Sequence, residues 1–203
     1  TYDYRNYLGV NSLSFIPSLY VSTGPTVKSV PSDPLYADVN NDQIPDLAIG
    51  RFPARTSAEL DLLVNKTLAY AGKDYGGTAV FASDKNDGTV NFKNISNAMA
   101  AGLPSGWTTE TIHLDDLAVA AARAQLIAAM NRGAALVTFT GHSGPTVWTF
   151  SNLFKTTDAA ALTNHGRPFV VVQWGCLNTY YVDPSNNYLV QKFLFSGDQG
   201  AAA

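Results

Sequence analysis

FVVVQWGCLNTYY, from Phe169 to Tyr181, is the stretch of sequence that decides the fold. Its first half is a largely apolar, β-branched run that ends at Gly175, and the only cysteine of the chain, Cys176, follows directly. A buried strand of a parallel sheet has such a continuous apolar run, because helices cover both of its faces. The stretch therefore predicts a parallel strand that ends beside a thiol group.

A second stretch has the same organisation. Ala134 to Phe139 is apolar and runs into Thr-Gly-His-Ser-Gly, which places His142 just past the end of a second strand. The carboxyl ends of parallel strands meet at one edge of a sheet, and neighbouring strands lie about 4.8 Å apart. The two stretches therefore predict a cysteine and a histidine close together at that edge.

Strand and helix patterns alternate along the chain from Thr56 onward. The further elements expected from these patterns are strands at 15–22, 47–52, 78–82 and 107–113, and helices at 57–72, 91–101, 118–131, 157–162 and 186–195. The alternation predicts an α/β fold with a mostly parallel sheet, helices on both faces and right-handed crossovers. One domain over residues 1–203 is expected, with residues 1–55 as its N-terminal strand and acidic-turn segment.

Composition and charge argue against several classes of protein. The formal net charge is −3 and there is no basic cluster, so nucleic acid is not an expected partner. A single cysteine excludes an internal disulfide and a cysteine-rich zinc site. No apolar run is long enough to span a bilayer. The chain begins and ends abruptly, so we expect it to be part of a longer polypeptide with other domains.

The segment DVNNDQIPD is a candidate calcium loop, since a hard cation needs several oxygen ligands from one tight loop. Its residues at positions 1, 3, 5 and 9 are Asp38, Asn40, Asp42 and Asp46. The pattern departs from an EF-hand, because Gln43 replaces the glycine of the sharp turn and Ile49 replaces the bidentate glutamate. A polar Asx-type turn between two strands is the alternative interpretation. A structural calcium ion is the one bound group that the sequence predicts.

Cys176 and His142 are the residue types that nucleophilic catalysis needs. A thiol must lose its proton to attack, and a histidine can carry that proton. Backbone N–H groups at Ser143 and Cys176 are placed to point at a developing oxyanion. Taken alone, a cysteine at a strand end is more often a packing residue than a nucleophile. The coincidence of both residues at two predicted strand ends is what favours a catalytic role.

Three segments, in this order, resemble the gingipain-like cysteine peptidases (peptidase family C25), which have a caspase-like fold. They are YADVNNDQIPDLAIGRFPART at 36–56, TFTGHSGPTVW at 138–148 and VVVQWGCLNTYY at 170–181. The resemblance implies a caspase-like three-layer α/β/α sandwich with a mostly parallel sheet. It also implies a cysteine endopeptidase, a thiol protease that hydrolyses protein or peptide substrates and needs no cofactor for its chemistry.

The same resemblance implies roles for individual residues. Cys176 would be the nucleophile and His142 the proton donor to the leaving amine. In the family an acidic residue beyond an earlier strand supports the histidine, and Asp84 is expected in that place, with Lys85 as the alternative. The residues expected to line or narrow the substrate pocket are Trp148, Trp174 and Asn178.

Two departures from the family pattern keep a second interpretation open. Ser143 stands where the family usually has glycine directly after the histidine, and the loop at 84–94 is short, so a basic substrate side chain is not implied. The alternative is a non-catalytic surface binding or structural module of the same fold, stabilised by calcium. For both interpretations the resemblance implies a secreted or cell-surface bacterial protein.

Overall fold

The structure is a computed structural model that divides into two compact units. One unit, here called the N-terminal unit, consists of residues 1–60 and 181–186, and the other, the sheet unit, consists of residues 61–180 and 187–203. The described residues are 16–25, 27–71, 73–183 and 187–202. The prediction of one domain over the whole chain stays a prediction.

The N-terminal unit contains little regular structure. Strand β1, Tyr20–Ser22, pairs antiparallel with β2, Ser29–Pro31, and a short 3-10 helix covers Asp33–Tyr36. The strand expected at 15–22 forms only in its last three residues, and residue 15 lies outside the described residues. The strand expected at 47–52 was wrong, because that segment is irregular and pairs with no named strand.

From residue 57 onward, strands and helices alternate as expected. The elements are α1 Ser57–Tyr70, β3 Thr78–Ser83, α2 Phe92–Ala101, β4 Thr108–His113, α3 Val119–Asn131, β5 Leu136–Thr140, β6 Ser143–Gly144, β7 Val147–Trp148, β8 Phe154–Lys155, α4 Thr156–Ala160, β9 Val170–Trp174 and α5 Leu189–Leu194. Strands β6 to β8 form a small antiparallel sheet that the sequence patterns did not predict. No helix among the described residues is long and apolar enough to cross a membrane.

The main sheet has the strand order β4-β3-β5-β9, and every pair in it is parallel. The chain crosses from β3 to β4 through α2 and returns from β4 to β5 through α3, in the opposite direction. Right-handed crossovers in opposite directions put their helices on opposite faces of the sheet. The predicted α/β/α sandwich with a mostly parallel sheet is therefore confirmed.

The buried core lies mainly on the α3 face of the sheet. Val80 and Ala82 of β3 lie opposite Val137 and Phe139 of β5, and all four belong to one continuous apolar cluster with Leu126 of α3. The core residues of each strand are two positions apart, because successive residues of a strand point to opposite faces of the sheet. The packed core fixes the register of the sheet, and the register fixes where the strands end.

Candidate active site

Three neighbouring strands end at the same level of the sheet. Ser83 of β3 lies opposite Thr140 of β5, and Thr140 lies opposite Trp174 of β9. His142 and Cys176 each follow two residues after the last paired position of adjacent parallel strands. Because adjacent strands lie about 4.8 Å apart, this register brings the histidine and the cysteine to neighbouring positions at the carboxyl edge.

Two glycines let the three strand ends approach each other closely. The N–H of Gly141 donates to the carbonyl of Trp174 at 3.1 Å. A Cβ on Gly141 would lie 2.3 Å from the Cβ of Asp84, and a Cβ on Gly175 would lie 2.3 Å from Ser143 Oγ and 2.9 Å from the carbonyl of Gly141. Neither position has room for a side chain. The two glycines therefore belong to the construction of the site.

Cys176 is exposed, and its backbone carbonyl accepts a hydrogen bond from a neighbouring side chain. Ser143 Oγ donates to the carbonyl of Cys176 at 2.7 Å, and Asn178 Nδ2 donates to Ser143 Oγ at 3.1 Å. Asn178 is fully buried, and its Oδ1 accepts no hydrogen bond from the described residues. These bonds fix the backbone of the cysteine while its thiol stays accessible.

The imidazole of His142 is held by a carboxylate and two aromatic rings. Asp87 Oδ2 lies 2.9 Å from His142 Nε2. Phe92 meets the imidazole edge-on at 5.2 Å between centroids, and Phe150 stacks on it at 5.3 Å. Because an ionised carboxylate only accepts hydrogen bonds, Nε2 is assigned as the protonated nitrogen. In the neutral ring, Nδ1 is then the nitrogen that can accept a proton.

Asp87 is the acidic residue on the ring, in the place where Asp84 was expected. Hydrogen bonds from the backbone N–H of Val90, from His142 and from the N–H of Thr89 lower the pKa of Asp87 to about 2. The carboxylate is therefore ionised over the whole range in which proteins are normally studied. Asp87 also closes its own turn by accepting from the N–H of Thr89 at 2.8 Å and of Val90 at 2.7 Å.

Asp84 holds the backbone of the histidine, whereas the expectation was contact with its ring. Its Oδ1 accepts from the N–H of Lys85 at 2.8 Å, and its Oδ2 accepts from the N–H of His142 at 3.2 Å. Burial raises the pKa of Asp84, and the two backbone hydrogen bonds oppose that rise. Asp84 thus positions the backbone of the histidine segment. Lys85, the alternative residue for that role, donates its backbone N–H to Asp84.

A buried hydrogen-bond network supports the end of β3. Ser83 Oγ lies 2.8 Å from His113 Nδ1, and His113 Nε2 lies 3.0 Å from Asn97 Oδ1. Burial lowers the pKa of His113, so its ring is kept neutral. With Asn97 Oδ1 as acceptor, Nε2 is assigned as the protonated nitrogen and Nδ1 accepts from the Ser83 hydroxyl. The network links β3, β4 and α2 next to Asp84.

Two of the three expected pocket residues lie in the core. Trp148 is fully buried, stacks on Phe139 at 4.6 Å between centroids and donates from Nε1 to Gln173 Oε1 at 2.7 Å. Asn178 is buried as well. The expectation that these two side chains line a substrate pocket is corrected, because neither reaches the surface. Trp174, at the end of β9, is exposed and remains a candidate.

The acidic turn of the N-terminal unit, residues 38–46, folds onto its own backbone. The N–H of Asp42 donates to Asp38 Oδ1 at 3.0 Å and to Asn40 Oδ1 at 2.9 Å, and the N–H of Gln43 donates to Asp38 Oδ2 at 2.8 Å. Asp46 Oδ1 accepts from Asn40 Nδ2 at 3.3 Å. Gln43 takes a left-handed backbone, with φ 70°, where an EF-hand has glycine.

These bonds fit the Asx-type interpretation of the acidic turn. In the part of the chain that the structure describes, no group of three or more His, Cys, Asp or Glu side chains is arranged to hold a metal ion. Each of the four candidate ligand residues has a side-chain oxygen that accepts from a backbone N–H group of this turn. Calcium binding by the acidic turn stays a prediction.

Comparison with known proteins points to one family. A model of peptidase family C25 matches the chain over residues 1–203. No curated protein sequence matches it.

Solved structures with the same fold are gingipains and a further protease. The Arg-specific cysteine proteinase gingipain R has 23% identity and a TM-score of 0.71, with 92% of this chain and 44% of that chain covered. The complex of the pro- and mature domains of RgpB from Porphyromonas gingivalis has 21% identity and a TM-score of 0.69, with coverages of 88% and 44%. A structure described as a protease has 20% identity and a TM-score of 0.66, with coverages of 84% and 38%. The chain thus spans less than half the length of each of these three.

Proposed function

This chain belongs to peptidase family C25, and on that premise we propose that it is the catalytic part of a cysteine endopeptidase with Cys176 as nucleophile. One observation carries the proposal. In the register of β5 against β9, Thr140 lies opposite Trp174, and His142 and Cys176 each follow two residues later. The exposed thiol and the ring held by Asp87 support it further.

The chemistry follows from the two free reactive atoms. Nδ1 of His142 takes the thiol proton, and the Cys176 sulfur attacks the carbonyl carbon of the scissile peptide bond. The C–N bond breaks, the leaving amine takes the proton from the imidazolium, and a thioester remains. Water then attacks the thioester, the C–S bond breaks, and the carboxylic acid and the thiol are released. Asp87 stabilises the imidazolium formed in the first step.

The oxyanion would be held by the backbone N–H groups of Ser143 and Cys176. Ser143 lies opposite Trp148 in the β6–β7 pair, and the N–H of Thr149 donates to the carbonyl of His142. This bonding pattern is that of a non-hydrogen-bonded pair, in which the N–H of Ser143 points away from β7. A free N–H at this point is what oxyanion stabilisation needs, and a serine can supply it as well as a glycine.

The alternative proposal, a non-catalytic binding or structural module, rests on the serine at position 143 and on the short loop at 84–94. Burial of Cys176 would have favoured this alternative, and Cys176 is exposed. The exposure of Cys176 and the fixed orientation of the His142 ring both favour the peptidase.

The setting of the enzyme is proposed from its relatives. We propose protein or peptide substrates, further domains in a longer polypeptide, and secretion or display at a bacterial cell surface. One relative is described as a complex of pro- and mature domains, which fits a peptidase that acts as part of a larger protein. No cofactor is needed for the proposed chemistry, and calcium would have a structural role only.

The test is labelling of the full-length protein with a broad peptidyl probe that alkylates catalytic cysteines. We expect modification of Cys176, located by mass spectrometry, and a labelling rate about 100-fold lower in His142→Ala. The matched control is His165→Ala, because His165 is exposed and also paired with an aspartate, Asp198, at 2.8 Å. Labelling of Cys176 that does not change in His142→Ala would contradict the proposal.

A further inference from the structure

Phe150 is an exposed aromatic residue at the centre of the site. Its side chain is 84% exposed, although it stacks on the imidazole of His142 at 5.3 Å between centroids. Water contacts the remaining surface of the ring, which is unfavourable for so large an apolar group. A substrate side chain that covers Phe150 would remove this surface from water.

The loop that carries Phe150 is held under backbone strain. Thr149 and Asn152, on either side of Phe150, have φ values of 62° and 63°, and the left-handed region is costly for a β-branched residue such as threonine. Trp148 and Leu153 are fully buried and anchor both ends, with a hydrogen bond between them at 2.9 Å. Strain of this kind persists where surrounding contacts enforce it, and it concentrates at functional sites. The anchored loop thus presents Phe150 at a fixed place.

The nucleophile also has exposed apolar neighbours. Trp174, two residues before Cys176, is 60% exposed, and Leu177, directly after it, is 54% exposed. Exposed apolar side chains thus occur both next to Cys176 in sequence and on the ring of His142. Exposed apolar groups near a reactive centre are typical of a ligand-binding surface.

The carboxylates that follow β3 and β4 at this edge are already engaged. Asp84 and Asp87 bind the backbone and the ring of His142, respectively. Asp115 accepts from the N–H of Asn86 at 3.0 Å, and Asp116 pairs with a lysine at 2.5 Å. A guanidinium or ammonium group of a substrate would have to compete with these internal partners. The oxygens that a basic side chain would bind therefore already have hydrogen-bond partners within the protein.

Resting on the proposed peptidase function, we propose that the site selects a large apolar, preferably aromatic, side chain on the residue whose carbonyl is attacked. Phe150 is the specificity-determining residue. The substrate side chain packs on its exposed ring, with Trp174 and Leu177 closing the apolar surface beside Cys176. This preference differs from that of gingipain R, which is described as Arg-specific.

The experiment compares two peptidyl chloromethyl ketones that differ only in having Phe or Arg at the residue bearing the ketone. Alkylation forms a bond from the Cys176 sulfur to the methylene carbon and releases chloride. On the full-length protein we expect the Phe probe to react at least about tenfold faster, the discrimination that an apolar contact surface typically provides. Phe150→Ala should lower the ratio of the two rates about tenfold, and Phe150→Leu should keep most of it.

Val170→Ala is the matched control, because Val170 is an exposed apolar residue of β9 at the opposite end of the sheet. Its rate ratio should equal that of the wild type. An Arg probe that reacts as fast as the Phe probe, in a manner that depends on His142, would overturn the inference and leave the peptidase proposal intact. Equal slowing of both probes in Phe150→Ala would also overturn it, since Phe150 would then only position the histidine. If iodoacetamide modifies Cys176 but neither peptidyl probe does, the proposed function itself fails, and the inference with it.

Discussion

The strand-end site and the acidic turn of residues 38–46 both consist of polar side chains in loops, but they are built in opposite ways. In the site, Asp87 meets His142 across 55 residues of sequence, and the register of the sheet determines which residues meet. In the acidic turn, the hydrogen bonds of Asp38 reach only four and five residues along the chain. In the site, the strands β5 and β9 set the positions of the residues, and Cys176 stays exposed. In the acidic turn, the hydrogen bonds of Asp38 stay within the turn, whereas Asp87 accepts both from its own turn and from the ring of His142.

The largest effect is expected from removing the free thiol. Cys176→Ala should lower peptide hydrolysis at least about 10³-fold, because no other group at the site can form the thioester. The midpoint of thermal unfolding should stay close to that of the wild type, since the removed sulfur is exposed. Hydrolysis assays on the purified full-length variant, followed by a melting curve, check both expectations. Residual turnover near the wild-type level would mean that the reactive group lies elsewhere.

One added methyl group at Gly175 should prevent the close approach of the strand ends. Gly175→Ala should destabilise the protein by about 1–3 kcal/mol and abolish Cys176 labelling, because its Cβ would meet the carbonyl of Gly141 at 2.9 Å. The matched control is Gly144→Ala, whose Cβ would meet only Val147 Cγ1, at 3.7 Å. Urea unfolding of both variants measures the difference. Equal stability of the two would show that the strand ends have more freedom than the register implies.

Removing the carboxylate on the ring should have a smaller effect. Asp87→Asn keeps the size of the side chain and loses its charge, so the imidazolium formed during catalysis is less stabilised. We expect kcat/KM to fall about fivefold, mainly through kcat, because an exposed ion pair contributes at most about 1 kcal/mol. The measurement is steady-state hydrolysis of one peptide substrate. A change confined to KM would instead assign Asp87 to substrate binding.

Asp87 also predicts how stability depends on pH. Its pKa is lowered to about 2 in the folded protein, so its stabilising contribution is complete above the ordinary aspartate pKa and is lost as the pH falls towards 2. The stability difference between the wild type and Asp87→Asn should therefore shrink as the pH is lowered from 5 to 2. Urea unfolding at a series of pH values tests this. A difference that stays constant over that range would contradict the assigned cause.

The two apolar runs predicted the two strands and their ends. The expected burial was right for β5 and wrong for β9, which lies at the edge of the four-stranded sheet and has no buried residue. Sequence patterns missed β6 to β8, since strands of two residues have no periodicity. The strand expected at 47–52 failed for a related reason: an apolar pattern forms a strand only where a partner can satisfy its backbone.

The details of the site were harder to predict, because side-chain roles depend on loop geometry. The position of Asp84 at the end of β3 favoured it as the partner of the His142 ring. The turn that follows brings Asp87 there instead, through bonds to Thr89 and Val90 that no local pattern announces. Trp148 follows His142 closely in sequence, yet it turns inwards onto Phe139. Phe150 was missed because an aromatic residue in a loop gives no signal of its own.

The smallest effect is expected in the acidic turn, where breaking one residue tests both interpretations of that segment. Asp38→Ala removes the acceptor of two backbone N–H groups and should destabilise the protein by about 1 kcal/mol, as loss of a cap does. Labelling of Cys176 should not change, since the turn is built from local contacts alone.

With Asx-type bonding, the loss in melting temperature is the same with and without calcium. If calcium binds there, it raises the melting temperature of the wild type by mass action and leaves Asp38→Ala unaffected. Because the oxygens of Asp38 already accept from the N–H groups of Asp42 and Gln43, we expect the first outcome. A calcium-dependent shift in the wild type alone would instead show calcium binding by the turn.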